Sequence, residues 1–327
     1  MIFKSNIRIR VLKPLLDNAL ALVLLLILSF VLLQSLPGNQ ADALLSSDIR
    51  PDISAEDYRQ AEVRLGLNKS LPEQFMEWVS GLIQGDMGYS LLYSAPVVEV
   101  LMGALPWTLA LVVIALPLSL IIGSFLGLLA GIAPAQTVSR MLVGLVTLLS
   151  SLPGFVVALL LLSLFGISLG WFPTGGGISL QAKLHGSFAI IDWAYHAFLP
   201  VLALSLHGSV RYFYLAYGLA QQVGRRPFIQ HARIRGVRGW RLLWRWYLPN
   251  AMPELLSRLS SSLPGVVGAS LLIEVVFSYP GSGSLMLDAI NNRDYQLLQG
   301  GLLLTGSIVL LGNTLLDLVI AVLTNRG

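Results

Sequence analysis

Six apolar runs, at about 15–36, 106–131, 141–167, 196–219, 255–278 and 298–323, punctuate the chain. Each is long enough for one helical crossing of a bilayer, which takes about 20 residues for a hydrocarbon core about 30 Å thick. No formally charged side chain occurs between Glu99 and Arg140, or between Arg140 and Lys183. Solid runs of this kind argue against a closed β-barrel, whose strands are short and alternate in polarity. The pattern predicts an all-α, polytopic membrane protein of about six transmembrane helices with an extracytoplasmic insert after the first. Within that insert, Ser54 followed by Asp57 marks a helix start. Pro72 in a first turn, with Phe75, Val79 and Leu82 on one face, predicts a second, amphipathic helix over 71–83 lying along the membrane surface. Pro117, Pro153 with Gly154, Pro200, and Pro264 with Gly265 are expected to interrupt spans two to five. Such breaks suit a protein that moves, although Pro and Gly are common in transmembrane helices whatever their task. Gly175, Gly176 and Gly177 read as a flexible turn rather than a phosphate cradle.

Composition agrees with a membrane location. Of 327 residues 55% are hydrophobic and 12% charged, against roughly 25% charged in a soluble domain. The sequence has no cysteine, so disulfides, thiolate metal sites and cysteine nucleophiles are excluded. Lys and Arg mark cytoplasmic loops. Lys4, Arg8, Arg10 and Lys13 precede the first run, and Arg225, Arg226, Arg233, Arg235, Arg238, Arg241 and Arg245 crowd the loop between runs four and five without one acid. Residues 37–99 carry ten Asp or Glu against four Lys or Arg, which places them on the other side. The expected layout is a cytoplasmic N-terminus (1–14), a first transmembrane helix (15–36), the insert (37–99), a five-helix core (100–323) with a cytoplasmic loop (220–252), and a cytoplasmic C-terminus (324–327). The basic start and the small pair Ala41 and Ala43 also allow a cleaved signal peptide in place of the first span. That alternative would leave five spans.

The stretch 228–251, FIQHARIRGVRGWRLLWRWYLPNA, holds the most specific pattern. Ala232 and Gly236 are four apart, so on a helix they would share a face and let another backbone approach. Gly236 and Gly239 offer left-handed positions that stop a helix and turn the chain. Trp240, Leu243, Trp244 and Tyr247 restart an apolar stripe, and Pro249 suits the start of the next span. The result is a short helical hairpin outside the bilayer. Its arginines point to acidic protein or anionic membrane lipid, and no nucleic-acid partner is expected. A basic interfacial anchor is the plainer reading of the same residues.

The spacing of Ala232, Gly236, Leu248 and Pro249 resembles the cytoplasmic loop of ABC importer permeases, in which Glu-Ala-Ala, three variable residues and Gly precede a Leu-Pro pair. Gln230 and His231 stand where that pattern has Glu and the first Ala, and Trp246 replaces an aliphatic residue. The resemblance extends to the branch that carries dipeptides, oligopeptides and nickel. It includes Leu65 to Leu67, Pro72, Gln74, Phe75, Gly85, Asp86 and Gly88 to Ser90. It continues through Leu105, Pro106, Thr108 and Gly170 to Pro173, then through Ile273, Glu274, Phe277, Pro280, Gly281, Gly283 and Asn292 to Tyr295. Asn313 and Asp317 close it. Thr324, Asn325 and Arg326 depart from the usual Asp-Pro-Arg.

The resemblance implies a non-catalytic permease subunit in a bacterial inner (plasma) membrane. It would import peptides or a similar small solute, such as a metal chelate or nickel complex. Implied partners are a second related permease, two cytoplasmic ATP-binding subunits and an extracytoplasmic solute-binding protein. ATP and Mg belong to the partners, with no cofactor in this chain: of its four lysines Lys4 and Lys69 precede Ser, and Phe3 and Asn68 stand where a P-loop needs Gly. Ala232, Arg233, Gly236, Gly239, Leu248 and Pro249 would form the coupling loop to an ATP-binding subunit. Glu274, Asn313 and Asp317, ionisable or polar groups in or near apolar runs, are candidates for the translocation path or gating, or for hydrogen bonds between helices and subunits. Arg211 reads as a snorkelling side chain at a span's inner end.

His185, His196, His207 and His231 lack ligand-like spacing, so no metal site is expected. A secondary transporter is the rival reading, but no inverted repeat is visible and the arginine hairpin would have no task. An intramembrane protease lacks its Gly-x-Ser-Gly turn, because Gly281 to Ser284 run in another order.

Overall fold

Residues 2–34, 69–180, 182 and 189–324 are described by the computed structural model. The expected helix at 54–65, Ala41, Ala43, Leu65 to Leu67, His185, Asn325 and Arg326 lie outside them. In chain order the elements are α1 (Ile2–Gln34), α2 (Leu71–Ile83), β1 (Tyr89–Ser90), β2 (Ala95–Pro96), α3 (Val97–Ile132), α4 (Thr137–Ser150) and α5 (Gly154–Leu161). They continue with α6 (Ala189–Gly224), α7 (Pro227–Ile234), α8 (Gly239–Leu242), α9 (Leu248–Ser257), α10 (Leu263–Val276), α11 (Ser282–Asn291) and α12 (Tyr295–Thr324). Among the described residues four helices are long and apolar enough to cross a membrane, or six spans if each of two bent pairs counts as one. The protein is therefore a helical, polytopic membrane protein.

Proline breaks two of the expected spans and spares two. The third run splits into α4 and α5, which meet at 103° around Ser151 to Pro153. Pro153 has no N–H to give the preceding turn and pushes Leu152 away from helical geometry. The fifth bends by 57° between Ser257 and Ser260, before Pro264. In contrast, α3 runs unbroken through Pro117 and α6 through Pro200, so the expected interruptions there do not occur. Wide π turns follow α5 at Leu162–Ser168 and α8 at Leu243–Tyr247.

The chain forms two compact units. The first comprises residues 1–106 and 281–311, the second 107–280 and 312–327. In the first, α2 begins at Ser70, whose N–H and hydroxyl both donate to Glu73 (3.0 and 2.8 Å). Those bonds hold the Glu73 carboxyl below the usual carboxylate range. Phe75 and Trp78 of α2 pack on Phe30 of α1, with ring centroids 5.2 and 5.8 Å away. Gly306 of α12 lets Leu25 of α1 close in, and Gly300 does the same for Val97 and Leu101 of α3.

The second unit is organised by close backbone contact between α3 and α6. Gly123, Gly127 and Gly131 recur every fourth residue on one face of α3. A Cβ at Gly127 would collide with the Phe213 carbonyl and lie 2.9 Å from Ala216 Cβ; one at Gly131 would lie 2.6 Å from Ala220 Cβ. With no water to expel inside a membrane, such small-residue seams are a principal source of helix association, through dispersion contact. The glycine-rich turn is close-packed as well, which corrects the flexible reading. Gly176 takes φ +86° and donates its N–H to the Phe277 carbonyl (3.0 Å). A Cβ at Gly175 would lie 2.9 Å from that same oxygen, and one at Gly177 2.7 Å from Trp107.

Candidate functional site

The arginine-rich hairpin is built from α7, α8 and the π turn that leads into α9. Helix α7 ends in a six-residue closure: Gly236 N–H donates to Arg233 O and Val237 N–H to Ala232 O, both at 3.0 Å. That geometry requires a left-handed residue after the cap, and Gly236 supplies it at φ +80°; Gly239, at +59°, makes the next turn. The helix stops at Ile234, so Ala232 and Gly236 do not share a helix face.

Their surroundings differ accordingly. Ala232 is buried with Ile229, Leu242, Leu243, Tyr247, Ala251 and Leu255 against Leu128, Ala216, Ala220 and Val223. Burying a side chain the size of Ile229 contributes roughly 1.5–3 kcal/mol. Arg233 is exposed but reaches back to its own chain. Its guanidinium donates to the Tyr247 hydroxyl (3.0 Å) and to the Ile132 carbonyl (3.3 Å), where a cation meets the negative end of α3. Leu248 is half-buried beside the same cluster, and Pro249 lies exposed in the first turn of α9. Ala232, Arg233 and Leu248 thus fasten the hairpin to its own chain. Gly236 and its neighbours are left outward: Ile234 is 82% exposed, Arg235 and Arg238 are exposed, and a Cβ at Gly236 would meet nothing within 4 Å.

The remaining sequence candidates do not converge. Glu274 is wholly buried and its charge acts on Tyr279. After it, α10 closes as α7 does, with Tyr279 N–H bonded to Glu274 O (2.8 Å) and Ser278 in the left-handed position at φ 46°. The Tyr279 hydroxyl accepts from Trp193 Nε1 (2.8 Å). Asn313 is half-buried, and its Oδ1 has no hydrogen-bond partner among the described residues. Asp317 is exposed on α12. Arg211 does more than snorkel, since it bonds the Ser261 carbonyl and hydroxyl (3.0 and 3.1 Å) at the α9–α10 break. Among the described residues no cluster of three or more His, Cys, Asp or Glu could hold a metal ion.

One constellation went unread in the sequence. Asp294, 4% exposed, accepts from Ser90 Oγ (2.6 Å) and Leu92 N–H (3.2 Å) with one oxygen, and from Leu297 N–H (3.0 Å) with the other. The carboxylate therefore caps α12 and clasps the β1–β2 hairpin. Nearby, Tyr93 donates to Asp288 (3.1 Å) and the Tyr89 N–H to Gln296 (2.7 Å). Burial first, then the Asp288 bond, raises the Tyr93 phenol above its ordinary value. An Asp immediately before an apolar helical run is a legible N-cap signal; its reach to residue 90 is not.

Helical spans, two of them bent pairs, with a basic hairpin between them, are the structure of a multi-pass membrane protein. The chain belongs to the binding-protein-dependent transport system inner membrane component family: that family's model matches residues 123–326, and the model of its N-terminal part matches 8–112. It is 29% identical to the oligopeptide transport system permease protein AppB of Bacillus subtilis, over 92% of this chain and 93% of the relative. It is 30% identical to the di/tripeptide transport system permease protein DppB of Pseudomonas aeruginosa, over 90% of each. A 30% match to the putrescine export system permease protein SapB of Escherichia coli K12 covers 76% of this chain and 83% of the relative. The family is one of transport permeases, and the chain is such a permease.

Proposed function

We propose that the chain is one of two membrane subunits of an ATP-driven importer for peptides or solutes of similar size, metal chelates included. Its hairpin at 227–247 would be the seat of an ATP-binding partner. The observation that carries this reading is the division of labour within the hairpin. Ala232, Arg233 and Tyr247 hold it rigidly to α3 and α6, while Ile234, Arg235 and Gly236 stand free, as a helix-in-groove contact needs. A basic anchor would need the charges but not the closed, glycine-terminated tip. The hairpin and both termini are cytoplasmic in this reading, and the insert faces a solute-binding protein. ATP and Mg reside in two partner subunits, and a second permease completes the passage. Oligopeptide and di/tripeptide permeases among the relatives support peptides over the polyamine of the Escherichia coli relative.

The candidate pathway residues take different parts. Asp317 lies 22 residues beyond Tyr295, roughly 33 Å along the helix at 1.5 Å per residue. It therefore sits near the inner membrane edge, where an exposed carboxylate suits a seam with the second permease. Asn313, one turn earlier, has a buried Oδ1 with no hydrogen-bond partner among the described residues. Glu274 is wholly buried within its own chain.

Purification in mild detergent from cells expressing the whole system tests the reading. The expected result is co-elution with a second permease and two ATP-binding subunits, while the isolated chain neither binds nor hydrolyses ATP. Solute uptake by this chain alone, driven by an ion gradient, would overturn it.

A further inference from the structure

Hydrocarbon offers a polar side chain nothing to bond, so a polar group at membrane depth that does not face its own protein faces a neighbour or water. Helix α6 carries two polar groups one turn apart that are only partly satisfied by their own chain among the described residues. Arg211 lies 21 residues beyond Ile190, roughly 30 Å along the span and so near its inner end, and His207 stands one turn before it. Arg211 is exposed, and two of its terminal nitrogens bond Ser261 (3.0 and 3.1 Å). A guanidinium has five N–H donors, so others remain for a ligand, and no ion pair engages Arg211 among the described residues. The His207 Nδ1 is buried with no hydrogen-bond partner among them. Its ring is approached by Gly154, where a Cβ would lie 3.2 Å away.

Between these groups a cavity of about 160 Å³ opens, walled also by Tyr212, Ser262 and Gly265, with no acidic side chain in its lining. Two larger cavities, of about 440 and 260 Å³, have almost wholly apolar walls. Polar walls single out the small one. Its volume falls below the roughly 300 Å³ at which pockets begin to enclose a whole drug-sized ligand, so it suits one end group. We propose that it is an anion-selecting station on the solute's route, where Arg211 and His207 receive a carboxylate of the passing solute. The proposal rests on the permease reading above and adds to it a site and a chemistry. A planar guanidinium fits a carboxylate in two-point fashion.

The absence of cysteine permits a direct test. A Cβ at Gly265 meets nothing within 4 Å, so Gly265→Cys places one thiol in the pocket, and Ala269→Cys, also in the lining, is the second variant. In the complete detergent-solubilised complex, its rates of reaction with sulfonatoethyl (anionic) and trimethylammonioethyl (cationic) methanethiosulfonate are compared with those of free cysteine. The pocket should favour the anionic reagent by about tenfold beyond the free-thiol ratio, the scale of one unscreened charge nearby. Arg211→Gln should abolish the preference and Arg211→Lys retain it. Millimolar trialanine should slow labelling and trialanine amide should not. A free-thiol ratio at both positions, labelling no faster than at Leu145→Cys on the exposed face of α4, or equal protection by the amide would overturn the proposal. ATP hydrolysis by the same preparation separates the two readings. If loaded binding protein stimulates it, only the pocket has failed; if not, the permease reading has failed with it.

Discussion

Tyr279 shows how one residue reports the packing around it. Its ring meets Trp107 edge-on at 5.7 Å and its hydroxyl accepts from Trp193. Burial pushes the phenol up to about 12, the Glu274 charge pushes the same way, and the Trp193 bond opposes both. A tyrosine in an unfolded chain ionises near about 10. Because the folded value is raised, the stability linked to the protonated phenol is fully present below about pH 10 and is lost as pH rises through about 12. Difference absorbance of phenolate should show a late-titrating component in the wild type that Tyr279→Phe removes. A Tyr279→Phe profile identical to wild type would contradict the buried placement. Residue-scale legibility followed backbone chemistry. Gly236 and Gly239 were readable as left-handed positions because only glycine enters that region without cost. Ser278 and Arg293 occupy it too, at φ 46° and 55°, at about 1–2 kcal/mol each, and their sequence gives no such signal. Nor does sequence reveal that Ala232 is buried and that Arg233 bonds back to the chain, since both are decided by packing against α3 and α6.

Helices extend the same lesson. The long apolar helices were legible because hydrocarbon demands length, and α2 because its cap and its apolar face agree. Which prolines break a helix was not legible. Pro117 and Pro200 sit in helices that continue, whereas the break before Pro153 is held in place by Gly154 against His207 and the bend before Pro264 by Arg211 on Ser261. The α3 seam was available in principle as three glycines at four-residue spacing, and went unread among so many glycines. It makes a sharp prediction. Gly127→Leu puts a branched chain where even a Cβ collides with the Phe213 carbonyl; overpacking of this kind costs about 1–3 kcal/mol or more. The thermal midpoint of the detergent-solubilised protein should fall clearly. Gly144→Ala, where a Cβ meets nothing within 4 Å, should stay within about 0.5 kcal/mol of wild type. Equal midpoints for the two variants would show that α3 and α6 do not pack through glycine.

For the whole molecule, the claim is that an inner hairpin converts events in ATP-binding partners into movement of helices already bent at two places. Orientation comes first. Ser80→Cys on α2 should react with an impermeant thiol reagent on intact cells and Gln222→Cys, at the exposed end of α6, should not; equal labelling would contradict the proposed topology. Family membership was readable from ordered matches along the chain, while the split of the hairpin into fastening and presenting residues needed the fold. That split directs the decisive measurement: ATP hydrolysis by the complete complex in proteoliposomes, with and without loaded binding protein. At φ +80° with open space around it, Gly236 tolerates asparagine far better than a β-branched residue. Wild type and Gly236→Asn should therefore both be stimulated. Gly236→Val should insert and express normally yet lose the stimulation, and neutralising Arg225 with Arg226 should do much less, because seven arginines share the charge. Normal stimulation in Gly236→Val, together with its loss on neutralising the two arginines, would contradict the coupling role and leave the hairpin a basic anchor.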